Sequence, residues 1–157
     1  MNIIPTLEGG LRFEIEDPAD WFLLRTISRD CARYGKSLAA ELSEWIDDPD
    51  LQSDWRDFVI PDLEREFSSA IEHVSACVHR AETQAQGGPG AVWVTRQDGP
   101  IWFSALNQAR LAIEDYHHFS RQEPQDLNEL DPIQRSAFLR SRLYHAIQSE
   151  LLGHVMH

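Results

Sequence analysis

The sequence predicts an all-α fold, a single compact bundle of about five or six helices preceded by a short N-terminal β-hairpin. Three observations carry this. Strict apolar–polar alternation is confined to the first sixteen residues. Afterwards apolar residues recur at spacings of three and four, the helical period. Asp-Pro pairs at Asp17-Pro18, Asp48-Pro49 and Asp131-Pro132 each place a capping carboxylate before a proline at the first helical position, where its missing N–H costs nothing. At 157 residues without a composition break or repeat, the chain reads as one domain, a hairpin over 1–16 and a bundle over 17–157.

The elements follow in order. Ile3 to Glu8 and Leu11 to Glu16 flank Gly9-Gly10, and glycine pairs supply the positive φ angles of a tight hairpin turn. Two strands alone are marginal in water, so the Leu11, Phe13, Ile15 face has to rest on helices or on another molecule. The first helix is expected from Pro18 to Tyr34, with Trp21, Leu24, Ile27 and Cys31 inward and Gly35 as its stop. A second spans Ser37 to Ile46 and buries Leu38, Leu42, Trp45 and Ile46. The third, Pro49 to Val59, carries Leu51, Trp55 and Phe58 on its apolar side. A fourth starts near Pro61 with the cleanest stripe of all: Leu63, Phe67, Ala70, Ile71, Val74, Cys77, Val78 and Ala81. Ala91 to Val94 fits either a short strand or an extended lead-in to the next helix. The fifth helix, Pro100 to Phe119, has two apolar stripes, one through Trp102, Ala105, Leu106, Ala109, Ile113 and Tyr116 and another with Phe103 and Leu111. A helix contacted on two sides is central. The last begins at Pro132 and uses Ile133, Ala137, Leu143, Tyr144, Ile147, Leu151 and Val155.

Charge restricts the partners. The formal net charge is −12, and residues 1–72 hold 17 acids against 7 bases while residues 73–157 hold 9 against 7. Nucleic acid is a poor partner for such a surface, because phosphate binding draws on clustered Lys and Arg. Anionic membrane is disfavoured for the same reason. Ten acids fall within residues 41–66, interleaved with Trp45, Trp55, Phe58 and Phe67, so the stretch reads as folded rather than as a solvated tail. Lys36 is the sole lysine and has no apolar pocket in its local sequence, which argues against amine chemistry. Cys31 and Cys77 sit on inward helix faces, as reduced thiols do. No basic-then-apolar leader and no apolar run of about 18 residues is present. The expected location is the cytoplasm.

One stretch carries a resemblance. At Trp102-Phe103-Ser104-Ala105-Leu106-Asn107-Gln108-Ala109-Arg110-Leu111 the chain resembles an uncharacterised bacterial domain-of-unknown-function family, with similarity extending from about Leu51 through the last helix. Its elements are a Trp, the Ala-Leu-Asn step and an Arg-Leu pair on one helix. The resemblance implies a predominantly helical fold and no assigned activity. It also implies a gene often adjacent to that of the ClpS adaptor of proteolysis, and hence, by association, a role near protein turnover. It carries over no catalytic residues.

Three constellations carry chemistry. Asn107, Arg110, Glu114 and His118 share one helical stripe, so Arg110 can pair with Glu114, and Glu114 can accept from His118. This reads first as a structural network. Glu114 and His117 match the Glu-x-x-His pattern of di-iron bundles, with His118 as an alternative partner, but the second copy and further Glu donors that such a centre needs are missing. Glu41, Glu44, Asp47, Asp48, Asp50, Asp54 and Asp57 offer oxygen ligands, yet the Gly and Glu positions of an EF-hand loop are absent. Read as a face, they suit docking of a basic protein. No cofactor is expected. The preferred reading is an interaction or regulatory module rather than an enzyme; the alternative is a metal- or small-molecule-dependent enzyme using Glu114, His117 and His118. A homodimer formed through the hairpin is a further possibility.

Overall fold

The computed structural model describes residues 1–32, 37–121 and 126–156, with only the backbone at 121. The expected helix end at Tyr34, its stop at Gly35, and Lys36 lie outside the described residues.

The fold is mostly helical but not all-α. A three-stranded antiparallel sheet of order β1-β2-β3 joins β1 (Asn2–Pro5), β2 (Leu11–Ile15) and β3 (Gly90–Val94). The hairpin forms as expected. The segment whose sequence fitted either strand or lead-in is the third strand, pairing Val92 with Phe13 and Val94 with Leu11. Val92 and Val94 are buried while Trp93 between them is exposed, the alternation of a half-buried strand. Pairing on the second side of β2 supplies what a lone hairpin lacks.

Among the described residues six α-helices follow the expected order: α1 (Pro18–Cys31), α2 (Leu38–Ser43), α3 (Pro49–Asp54), α4 (Ile60–Gln84), α5 (Gly99–His117) and α6 (Pro132–His154). All three Asp-Pro pairs start helices. Asp17 and Asp131 form reciprocal capping boxes with Asp20 and Gln134, and the Asp48 side chain accepts from Asp50 N.

One boundary differs. The expected break between a third helix ending at Val59 and a fourth starting at Pro61 is a continuous rod, in which a π-helical turn over Trp55–Val59 joins α3 to α4. Ile60 N–H bonds to the Trp55 carbonyl, five residues back. Pro61 has no N–H and its ring crowds the carbonyl four residues earlier, so the backbone widens by one residue rather than ending.

The core lies where the sheet meets the central helix. Leu11, Phe13, Ile15, Val92 and Val94 are buried in one cluster with Trp102, Ala105, Leu106 and Ala109 of α5. The Phe13 and Trp102 rings meet edge to face with centroids 5.4 Å apart. α5 packs against α1, α4 and α6, the central position its two apolar stripes predict.

Several residues expected inside are outside. Trp45 is 84% exposed, Phe58 71% and Leu51 54%; Leu42, Tyr116 and Ile133 are exposed too. Spacing shows that a helix has an apolar side, not what that side faces. α2 and α3 are six residues long; α2 packs on α4 and the π turn, while α3 runs on into that turn, leaving their remaining sides to solvent.

Candidate functional site

The acidic face is assembled from short capped pieces. Ser37 Oγ accepts from Ala40 N (3.0 Å) to start α2, Asp48 Oδ1 accepts from Asp50 N (3.0 Å) to start α3, and Gln52 Nε2 donates to Ser43 O (3.0 Å), tying the two together. Between Glu44 and Phe58, Trp45, Leu51 and Phe58 are exposed, and so are Glu44, Asp47, Asp48, Asp50, Asp54 and Asp57, with Glu41 half-buried. Large apolar side chains and carboxylates of one short stretch thus both face solvent. Exposed aromatics in that density are characteristic of interfaces.

The stripe on α5 does not act as one network. Arg110 Nη1 donates to Gln148 Oε1 of α6 at 2.6 Å, and its buried Nε has no partner among the described residues. Glu114 accepts from Ser120, through the backbone N–H at 3.0 Å and also the hydroxyl. His118 sits in the left-handed region at φ 55°, closing the helix with its N–H on the Glu114 carbonyl. Asn107 is half-buried. The spacing permits Arg110–Glu114 and Glu114–His118 pairs, but the helix ends at His117, and the turn beyond it brings Ser120 onto Glu114.

His117 faces elsewhere. Its ring stacks on Phe119 with centroids 5.0 Å apart and meets the Tyr116 ring edge-on at 4.7 Å. Glu114 is thus engaged by Ser120 and His117 by Phe119 and Tyr116, and among the described residues no group of three or more His, Cys, Asp or Glu side chains is placed to hold a metal ion. Glu150 and His154 make an exposed contact at 3.3 Å.

The most developed polar cluster was not anticipated from the sequence. Asp30 on α1 is gripped by Arg140 on α6, Nε to Oδ2 at 2.8 Å and Nη2 to Oδ1 at 3.0 Å, while Tyr144 donates its hydroxyl to Oδ2 at 2.6 Å. Thr26 Oγ1 lies 2.7 Å from that hydroxyl. The Asp30 side chain is only 9% exposed. Burial, and then the hydrogen bond to Asp30, push the Tyr144 phenol far above its ordinary value. The hydrogen bond to Asp30 raises Arg140 as well. The available signal was a pair of four-residue spacings, Thr26 to Asp30 and Arg140 to Tyr144, but nothing in a single sequence joins helices more than a hundred positions apart.

Asp30 and Arg140 of this cluster also line a groove of about 390 Å³ between the ends of α1 and α5 and the start of α6, together with Arg29, Asp115, Tyr116, His117 and Ile133 among others. Burial and then the neighbouring Arg140 guanidinium hold His117 below its ordinary value, against the pull of Asp131 and Asp30.

No helix among the described residues is long and apolar enough to cross a membrane. No curated protein and no solved structure matches the chain. A family model does match, over residues 11–155, from the second strand through the last helix, and the chain accordingly belongs to the family described as Domain of unknown function (DUF2017).

Proposed function

We propose that this chain is a cytoplasmic protein-interaction module whose docking face is the acidic, aromatic-bearing surface of α2, α3 and the π turn. The observation that carries the reading is Trp45, 84% exposed, standing with exposed Phe58 and Leu51 among the carboxylates from Glu44 to Asp57. Carboxylates alone describe a solvated surface, and aromatics alone describe a core. Together and outward they describe a patch that waits for a partner with basic and apolar side chains. The long-range field of the acids accelerates encounter, and the aromatic side chains supply the contact that persists. A place near protein turnover rests on the resemblance alone.

The test uses the whole chain as bait in three forms: wild type, W45A/F58A, and D47N/D48N/D50N/D54N. A basic partner retained by wild type at low salt, released by about 0.5 M salt and lost from both variants supports the reading. Retention of the same proteins by W45A/F58A overturns it. Light scattering on the wild type separates this from self-association through the β1 edge.

A further inference from the structure

Apart from the docking face, we propose that the cavity between α1, α2, α4 and α5 is a binding site for a small uncharged ring compound that carries an O–H or N–H donor. The side chain that points to it is Gln108 of α5, only 5% exposed. Its Nε2 donates to the Phe67 carbonyl of α4 at 3.2 Å and to Ser104 Oγ at 3.4 Å. A carbonyl only accepts, so the NH2 end of the amide has to face it and Oε1 is turned away. Oε1 has no hydrogen-bond partner among the described residues, and Gln108 lines a cavity of about 240 Å³. A buried amide oxygen is costly unless a donor, from water or from a ligand, reaches it.

The walls select the ligand. Leu38 from α2 and Phe67 and Ile71 from α4 are apolar. Cys31 of α1 lines the buried end beside Gln108, with its thiol spent on the Ala105 carbonyl and held protonated by burial. That end therefore carries no formal charge. Among the described lining residues only Glu64 is ionised, and it is exposed together with Ser68, so its charge is solvated at the mouth. Charged neighbours in sequence are engaged elsewhere: Arg65 on Asp62, and Asp30 on Arg140 and Tyr144. An ammonium drawn to the buried end would lose its water with no carboxylate beside it, and an anion would meet a carbonyl oxygen instead of a donor. A neutral ligand incurs neither cost. An apolar cavity of about 150 Å³ holds benzene, whereas drug-sized ligands occupy roughly 300–1,000 Å³. The space here suits one ring or two fused ones.

The experiment is calorimetric titration of the full chain with phenol, and separately with anisole, which keeps the ring but has no donor, and with benzylamine, which is charged. Saturable phenol binding is expected, with anisole weaker by about tenfold, the loss of one hydrogen bond. L38W, which fills the cavity, is expected to abolish phenol binding. Q108M, which keeps the side-chain length but removes the acceptor, is expected to bind phenol and anisole alike, with circular dichroism confirming the fold of both variants. Should Q108M not fold, the phenol-to-anisole ratio of the wild type and the L38W result still decide the matter. The proposal is overturned if phenol does not saturate, if anisole binds wild type as tightly as phenol, if benzylamine binds more tightly than phenol, or if folded L38W binds phenol as wild type does.

Discussion

The Tyr144 hydroxyl donates to Asp30 Oδ2 at 2.6 Å, joining the last helix to the first across 114 positions of sequence. The phenol is completely buried, and the carboxylate it serves is already gripped by Arg140. α1 and α6 are therefore joined by a polar clasp beside α5, the helix that packs on both.

Breaking that clasp on one side is expected to cost more than the pair contributes. R140M leaves the Asp30 charge buried with Tyr144 as its remaining donor and is predicted to lower unfolding stability by about 3 kcal/mol. Y144F, which removes one hydrogen bond but keeps the ring, is predicted to cost about 1–2 kcal/mol. Urea denaturation midpoints measure both, and R140M no worse than Y144F would show that the ion pair is solvated.

His117 gives stability a pH dependence with a definite sign. Its folded-state value lies below the ordinary 6.5 because burial penalises the charged ring. A group depressed in this way contributes fully above about pH 6.5, and the contribution disappears as the pH falls through the folded-state value. Between pH 7.5 and 5.5 wild type is thus expected to lose more stability than H117Q does, and thermal melts of the two across that range decide it.

The two thiols are expected to differ in reactivity. Burial, and then the charge of Asp30, push the Cys31 thiol up to about 12, and its Sγ donates to the Ala105 carbonyl at 3.2 Å. Cys77 is raised by burial too, but it is only partly enclosed. At pH 8 a disulfide reagent is predicted to modify Cys77 in the folded chain and to reach Cys31 only after denaturant is added. Equal rates would mean that the α1–α5 contact opens readily.

Among the described residues, Gly10 and Gly99 mark the two tightest glycine approaches. A Cβ on Gly10 would lie 2.2 Å from the Val94 carbonyl oxygen, and one on Gly99 would lie 2.6 Å from Val155 Cγ1. In the first case the obstacle is backbone; in the second it is a side chain buried at the end of the bundle. G10A is predicted to be the more damaging, since the β2–β3 pairing has to shift, and both should lower the melting temperature by several degrees, roughly the effect of 1–3 kcal/mol in a small domain.

The parts of the fold legible from sequence are those set by local rules. The Asp-Pro starts, the Gly-Gly turn and the stripes of α1, α4 and α5 follow from capping, φ preference and period, and Trp21, Leu24, Ile27 and Trp102 are buried as their spacing indicates. β3 was ambiguous because its partner lies far away in sequence at β2. Trp45, Leu51 and Phe58 follow apolar patterns yet face outward, since a period defines a side without saying what lies against it. The polar residues of α5 show the complementary limit: Glu114 has neighbours at the right spacing, but the left-handed residue His118 redirects the chain and brings Ser120 to it instead. Asp30 and Arg140 meet only in the tertiary packing.

The extra residue in the turn at Trp55–Val59 acts as a rotation. Each residue of a helix turns the chain by about 100°, so one residue inserted ahead of α4 reorients everything before it relative to the stripe from Leu63 to Ala81. Were the same residues in unbroken α-helix, Leu51 would stand about a quarter-turn away from its present heading relative to the side of α4 that meets the core. A substitution that closes the wide turn to α geometry, such as P61A, would therefore re-aim the acidic surface without altering any of its acidic side chains. Where that surface points is decided by a single backbone step at Pro61, separately from the composition that gives it its charge.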